Sequence, residues 1–305
     1  MRPAGKVSVS MNVLMQALLD GICIGAIYGL GAMGLVVIQK SSGVFNLAQG
    51  MLMMVGGFIA GSLSVNMSLP MWAAAVLCML AMALIGLIIN FLVMRPLAGE
   101  SPFTQIMATV GLMSILYGIV MAIWGTLPYI YPTEIIPIEN IEIGVILLSP
   151  SYLNGLIIAV VACIALSLYY RKSREGTAMR ATSEDEELAA SVGIRVTKVL
   201  QLTWIIGSIC AGLAGILFGM LGSVNYMMGE IGLMAIIPVF VFGGLESFVG
   251  ALLAGFIVGV VNMLAGTYLE VTFPGITNVV PLVLMLTILI FKPYGLFGEE
   301  RIERV

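Results

Sequence analysis

Long apolar runs joined by short polar segments decide what this chain can become. Candidate membrane segments lie near 12–38, 45–65, 70–94, 104–124, 151–170, 199–221, 232–244, 247–265 and 276–292. A helix needs about 20 apolar residues to cross a hydrocarbon core. Of the 305 residues, 60% are hydrophobic and 10% charged, against about 25% charged in an average soluble domain. Too few polar residues remain to cover a water-facing surface. A membrane β-barrel would show stretches of about ten residues with alternating polarity, and the sequence has no such pattern. The expected fold is therefore all-α: a polytopic transmembrane bundle of about eight or nine segments, one domain over 1–305, with discontinuous or re-entrant helices. The 232–244 run is short for a full crossing at about 1.5 Å per residue, so it reads as half of a broken helix. The first run outlasts a signal-peptide core and leads straight into another span, so no cleavable leader is expected.

Composition also closes several chemistries. With no histidine, no Ser-His-Asp or Cys-His nucleophilic site and no HExxH zinc helix can be built. Cys23, Cys78, Cys163 and Cys210 stand singly in apolar runs, without the close spacing of a metal site or redox pair. The 22 methionines are scattered and read as adaptable packing. A net charge of −3 offers no basic face to nucleic acid. No metal and no bound cofactor are expected.

Orientation follows from Lys and Arg in the loops. The 171–198 loop carries Arg171, Lys172, Arg174, Arg180, Arg195 and Lys198, whereas 125–150 carries Glu134, Glu139 and Glu142 and no positive residue. The first is expected inside and the second outside. Arg95, Lys292, Arg301 and Arg304 put the C-terminus in the cytoplasm. Nine crossings would place Arg2 and Lys6 outside; eight, with 45–65 or 232–244 re-entrant, would place both termini inside.

Glycines fall within helices. Gly21, Gly25 and Gly29 form a GxxxGxxxG ridge, and the pairs Gly215/Gly219 and Gly255/Gly259 form others; such stripes let membrane helices approach closely. Two stretches go further. Ser41 to Gly50 sets Asn46, Gln49 and Gly50 where a helix should start, and Gly243-Gly244-Leu245-Glu246-Ser247 does the same 198 residues later. Each leads into a similar helix, Gly57 to Gly61 against Gly255 to Gly259. Matching interruptions in two halves point to broken helices lining a translocation path. Asn46, Gln49, Gly50, Gly243, Gly244, Glu246 and Ser247 are the candidate pathway residues. Among the membrane-depth ionisable groups Asp20, Glu230, Glu246 and Glu270, Glu246 is the best placed for a path, the alternative being a carboxylate at the cytoplasmic interface.

Within the 171–198 loop, Thr182 to Gly193 opens on Ser/Thr and acids and ends at Gly, the start and stop signals of a short helix. Having almost no apolar face, it reads as a solvated hairpin or a docking element for a soluble partner. With this loop in place, the sequence resembles the permease subunits of bacterial ABC importers for branched-chain amino acids, related to those for amides and urea. The likeness spans roughly residues 12–298. It rests on Phe45 to Gly50, Arg95-Pro96-Leu97, Ala108 to Leu112, Arg180-Ala181 with Gly193-Ile194, Gly243 to Ser247 with Gly250-Ala251, and Lys292 to Gly298, in order.

What the resemblance implies is specific. Thr109 joins the pathway residues, and the cytoplasmic loop is a coupling helix, with Arg180, Glu184, Glu187, Ala189, Ala190 and Gly193 as candidate ATPase-coupling residues. Partners would be two cytosolic ATP-binding subunits, a second permease subunit (paralogue or copy), and a periplasmic or extracellular substrate-binding protein docking on 125–150, in a bacterial inner membrane. The chain has no GxxxxGK[ST] motif, so ATP chemistry would reside in those partners and the subunit would not itself be an enzyme. Two departures bear on substrate: Leu47, Ala48, Gln49, Gly50 and Met51 stand where the family usually has an aromatic or similar residue, Ala, His, Gly and Glu, and Glu246 stands where it usually has Gly. An ion-coupled secondary transporter or channel is the competing class.

Overall fold

The computed structural model describes residues 11–132, 135–136, 141–143 and 146–298. Glu134 and Glu139 of the acidic loop, and Arg2, Lys6, Arg301 and Arg304 of the orientation argument, lie outside them. Eleven helices and one small hairpin appear among the described residues. They are α1 (Met11–Ser42), α2 (Gln49–Gly61), α3 (Met71–Ile89), α4 (Pro102–Ile123), β1 (Ile141–Ile143), β2 (Ile146–Leu148), α5 (Pro150–Lys172), α6 (Arg174–Glu184), α7 (Glu186–Ser191), α8 (Val196–Met220), α9 (Met228–Gly243), α10 (Phe248–Tyr268) and α11 (Ile276–Phe291). Single π-helical turns extend α2 over Ser62–Asn66 and α3 over Asn90–Met94. The all-α expectation holds; among the described residues a three-residue antiparallel β1–β2 ladder and an isolated Tyr129–Val224 bridge are added to it.

Among the described residues six helices are long and apolar enough to cross a membrane, namely α1, α3 with its π turn, α4, α5, α8 and α10. Helices α9 and α11 are apolar but have 16 residues each, about 24 Å of axis. The 276–292 run is thus shorter as a helix than a full hydrocarbon crossing. The first apolar run is longer than the sequence pattern suggested: α1 continues without a break to Ser42, 32 residues in all.

Glycine ridges set the packing. Helices α1 and α10 run antiparallel, Gly21 against Val260, Gly25 against Gly255, Gly29 against Leu252. A Cβ on Gly25 would enter the Gly255 carbonyl, and one on Gly259 the Gly21 carbonyl, so the two ridges need each other bare. Helices α2 and α8 run parallel through Gly56 and Gly212, and Gly215 lies on the Met53 carbonyl. The core between these pairs is filled by Phe58, Trp204 and Phe240, all at most 1% exposed.

The polar loop folds differently from its expected single helix. Asp185 is extended (φ −157°, ψ 111°) and its carboxylate accepts the Leu188 N–H at 2.8 Å, capping α7. Thr182 and Ser183 cap nothing. Their hydroxyls turn back onto the Ala178 and Arg180 carbonyls at 2.9 and 2.8 Å inside α6, the competing bond open to Ser and Thr in a helix. The helix therefore starts three residues later than its Ser/Thr signal, behind a second helix, α6.

Candidate functional site

The first interruption is a buried bracket. After Ser42 the chain leaves the helix over residues 43–46 and resumes one at Gln49. Asn46 and Gln49 are fully buried. Asn46 Oδ1 accepts the Ala48 N–H at 3.0 Å, and its Nδ2 donates to Gln49 Oε1 at 3.0 Å. Gln49 Nε2 donates to the Gly31 and Gly207 carbonyls, each at 3.2 Å. Thr109, also fully buried, accepts the Leu47 N–H at 3.2 Å and donates to Ile106 O at 2.8 Å, 3.4 Å from Phe45 O. Buried amides must be paired to be tolerated, and these pairings join α1, α2, α4 and α8. Because Gly31 lies eleven residues before Ser42, α2 begins about 16 Å in from the end of α1. Gly50 lets α9 come close, since a Cβ there would meet the Gly229 carbonyl.

The second interruption is a tight reversal. Gly244 takes φ +100°, a conformation with ready access for glycine alone. Ser247 then caps α10, accepting the Gly250 N–H at 3.0 Å. Gly243 and Gly250 are in backbone contact. The C-terminal motif closes over them: Leu296 N–H donates to Phe242 O at 2.9 Å, Phe297 N–H to Gly243 O at 3.2 Å, and Gly295 sits against Gly244. These bonds satisfy carbonyls that end α9.

Glu246 and Ser247 thus stand at the end of the bundle that carries α6. The Glu246 carbonyl accepts from Lys40 Nζ at 3.1 Å. Lys40 also lies 5.8 Å from the centre of the Tyr170 ring, Arg180 5.7 Å from the same ring, and Tyr170 packs on Phe248 at 4.8 Å. Arg180 holds the α5–α6 elbow, donating to the Tyr170 carbonyl and to Thr177 Oγ1 at 3.0 Å. The structure therefore brings Asn46, Gln49, Gly50 and Thr109 together in the core, and Gly243, Gly244, Glu246 and Ser247 together with Arg180 at the loop end. Sequence reasoning missed Lys40 and Tyr170, which join this second group, and held Phe297 only as part of the Lys292 to Gly298 motif; the signal for Lys40 was a lysine ending the first apolar run.

The remaining loop residues lie along or beside α7: Glu184 ends α6, Glu187, Ala189 and Ala190 lie in α7, and Gly193 follows it. Glu184, Glu187 and Ala190 are exposed and Ala189 is buried. Gly193 (φ +89°) ends the helix with Gly193 N–H on Ala190 O at 3.0 Å and Ile194 N–H on Ala189 O at 3.1 Å, the paired bonds of a Schellman stop. One feature differs from expectation: Leu188 and Val192, four apart, are 62% and 71% exposed, so the helix does present an apolar face.

Over residues 17–289 the sequence matches the family described as the branched-chain amino acid transport system permease component. The chain belongs to this family. Among its relatives is the high-affinity branched-chain amino acid transport system permease protein BraD of Pseudomonas aeruginosa, 29% identical over 95% of this chain and 98% of that one. The LivH permeases of Salmonella typhimurium and Escherichia coli K12, which carry the same description, are each 27% identical over 95% of this chain and 97% of theirs. Among solved structures, PsaBC from Streptococcus pneumoniae in complex with Fab is similar over 92% of this chain and 91% of that chain, at 14% identity and a TM-score of 0.48. This protein is accordingly a multi-pass membrane permease and a transport subunit.

Proposed function

We propose that the chain is a permease subunit of an ATP-driven importer that carries branched-chain amino acids, or related small polar solutes, across a bacterial inner membrane by alternating access. The observation that carries this reading is family membership over nearly the whole chain. Two cytosolic ATP-binding subunits would dock on α7, where the exposed pair Leu188 and Val192 lies beside Glu184 and Glu187 and Arg180 stiffens the elbow behind it. A second permease, paralogue or copy, would complete the membrane unit. A periplasmic or extracellular binding protein would dock at the opposite end, and ATP would be held by the partners alone, with no cofactor on this chain. The loop end, which also receives the C-terminal motif, would face the cytoplasm under the positive-inside rule.

Within this reading the two interruptions divide the work. The amide bracket at Asn46, Gln49 and Thr109 fixes where α2 starts, and the Gly244 reversal is the joint through which α9 and α10 follow the coupling loop. The test is co-purification from cells co-expressing the chain with its ATPase subunits. Leu188→Asp is expected to abolish recovery of the ATPase, and Gly193→Ala, which strains the αL stop in open space at about 1 kcal/mol, to reduce it. Undiminished ATPase recovery with Leu188→Asp contradicts docking on α7.

A further inference from the structure

A recess of about 290 Å³ lies between α6 and the start of α8. Arg174, Arg195 and Lys198 bring three cations to its wall and Glu175 one carboxylate, a net charge of +2; Ile194, Val199 and Leu202 bring an apolar part. Both sides of the recess are the ends of spans. Helix α5 stops at Lys172, two residues before Arg174, and α8 starts at Val196, and both helices are long and apolar enough to cross a membrane. The recess therefore sits where hydrocarbon gives way to headgroups.

Two features of the charges point to an anion. Arg174, Arg195 and Lys198 are exposed, and among the described residues none of the three side chains makes a hydrogen bond or an ion pair. Arg195 and Lys198 also stand at the unfavourable end of their helix. A helix N-terminus favours negative charge, yet Arg195 precedes α8 with no side-chain capping bond and the first turn of α8 holds no acid. A bound anion answers both the crowded cations and the helix end. The same face then turns apolar. Arg195, Lys198, Val199 and Leu202 follow the i, i+3, i+4, i+7 spacing of one helix face, so the cations lead onto Val199, 7% exposed, and onto Leu202 one turn further into the span. A free inorganic anion uses only the cations, and a soluble protein does not reach residues inside a span. A phospholipid of net negative charge uses both parts: its phosphodiester on Arg174, Arg195 and Lys198, its glycerol esters and first methylenes on Val199 and Leu202. A zwitterionic lipid brings no net charge to answer the +2 of the wall.

We infer that this recess holds the headgroup of an anionic phospholipid of the cytoplasmic leaflet, and that the bound lipid steadies the loop carrying α7. This rests on the importer reading above and on the loop end facing the cytoplasm, the side on which basic pockets between membrane helices hold such headgroups. The physical route is short. Arg174 opens α6, which leads into α7, and Ile194, Arg195 and Lys198 follow α7. One phosphodiester therefore ties the entry of the coupling loop to its exit. Without it, α7 can tilt under the ATPase without moving α8, and less of each ATP cycle reaches the membrane helices.

The test uses the intact transporter. Native mass spectrometry of the detergent-purified complex, titrated with phosphatidylglycerol or phosphatidylcholine, is expected to show a tightly held phosphatidylglycerol that Arg195→Gln/Lys198→Gln loses. Lys172→Gln/Lys292→Gln, which removes two cations outside the recess, is expected to keep it. ATP-dependent uptake of labelled L-leucine is then compared in vesicles of phosphatidylcholine alone and of equal parts phosphatidylcholine and phosphatidylglycerol, with ATP inside and binding protein outside. Phosphatidylglycerol is expected to raise the initial rate several-fold for the parent and for Lys172→Gln/Lys292→Gln, but not for Arg195→Gln/Lys198→Gln, and lumenal inorganic phosphate is expected not to replace it. Equal lipid retention by all three proteins, equal retention of phosphatidylcholine, or an equal response of all three rates overturns the site. Replacement by inorganic phosphate overturns it in favour of a free anion, and loss of the ATPase from Arg195→Gln/Lys198→Gln purified without added lipid overturns it in favour of a protein contact. Absence of ATP-dependent uptake in every vesicle overturns the importer reading, while the mass spectra still decide the lipid site.

Discussion

The two interrupted stretches, 41–50 and 243–247, carry the same kind of sequence and are built in opposite ways. The first is held by side chains: Asn46, Gln49 and Thr109, all fully buried, bond four helices together well inside the bundle. The second is held by backbone: Gly244 at positive φ, Gly243 on Gly250, and the 295–298 segment bonded over both. Gly and polar residues at matching places therefore announce that a helix stops, but not how deep the stop lies or what holds it. In the core the chain needs amides with partners on several helices; at the end of the bundle, glycine and a cap suffice.

The largest expected effect breaks the first member of this pair. Gln49→Leu leaves the buried Asn46 Nδ2 without its acceptor and is expected to cost up to about 3 kcal/mol, read as a lowered thermal unfolding midpoint of the purified protein. At the second break, Gly244→Ala forces a side chain into a glycine conformation against Gly298, for about 2 kcal/mol. It should also loosen the C-terminal motif, so limited proteolysis is expected to release the tail earlier than in the parent. Ser247→Ala removes only a cap, costing about 1 kcal/mol. If it proves more damaging than Gln49→Leu in the same unfolding assay, the contrast between the two breaks is wrong.

The smallest effect comes from a third reversal, between α10 and α11. Glu270 accepts the Gly275 and Thr277 N–H groups at 2.6 and 3.2 Å, which hold its carboxyl below the usual value of about 4.5. A lowered folded-state pKa means that the contribution is present above the ordinary pKa and is lost as the pH falls through the folded one. Glu270→Gln should therefore destabilise slightly at pH 7 and converge with the parent in acid, as followed by unfolding at both pH values.

Much of the fold was legible because membrane helices announce themselves by apolar length, and because Gly21, Gly25, Gly29, Gly255 and Gly259 stand at a spacing that only close packing explains. Less of the site was legible. The depth of the first break depends on Gln49 reaching Gly31 and Gly207, partners 18 and 158 residues away, and no local pattern encodes that. Glu246 drew notice as a charge near membrane depth, yet its neighbour Lys40 is 206 residues distant and Tyr170 belongs to an ordinary apolar run. In the polar loop, Thr182 and Ser183 looked like caps by type; Asp185 won because its extended backbone frees the N–H groups that follow.

The most direct measurement is uptake of labelled L-leucine into proteoliposomes holding this chain with its partner permease, ATPase subunits and binding protein. The account predicts uptake that requires lumenal ATP and external binding protein and survives collapse of ion gradients by ionophores. Uptake that persists without ATP and disappears when the ion gradient is dissipated would contradict it, and would mark the chain as an ion-coupled carrier.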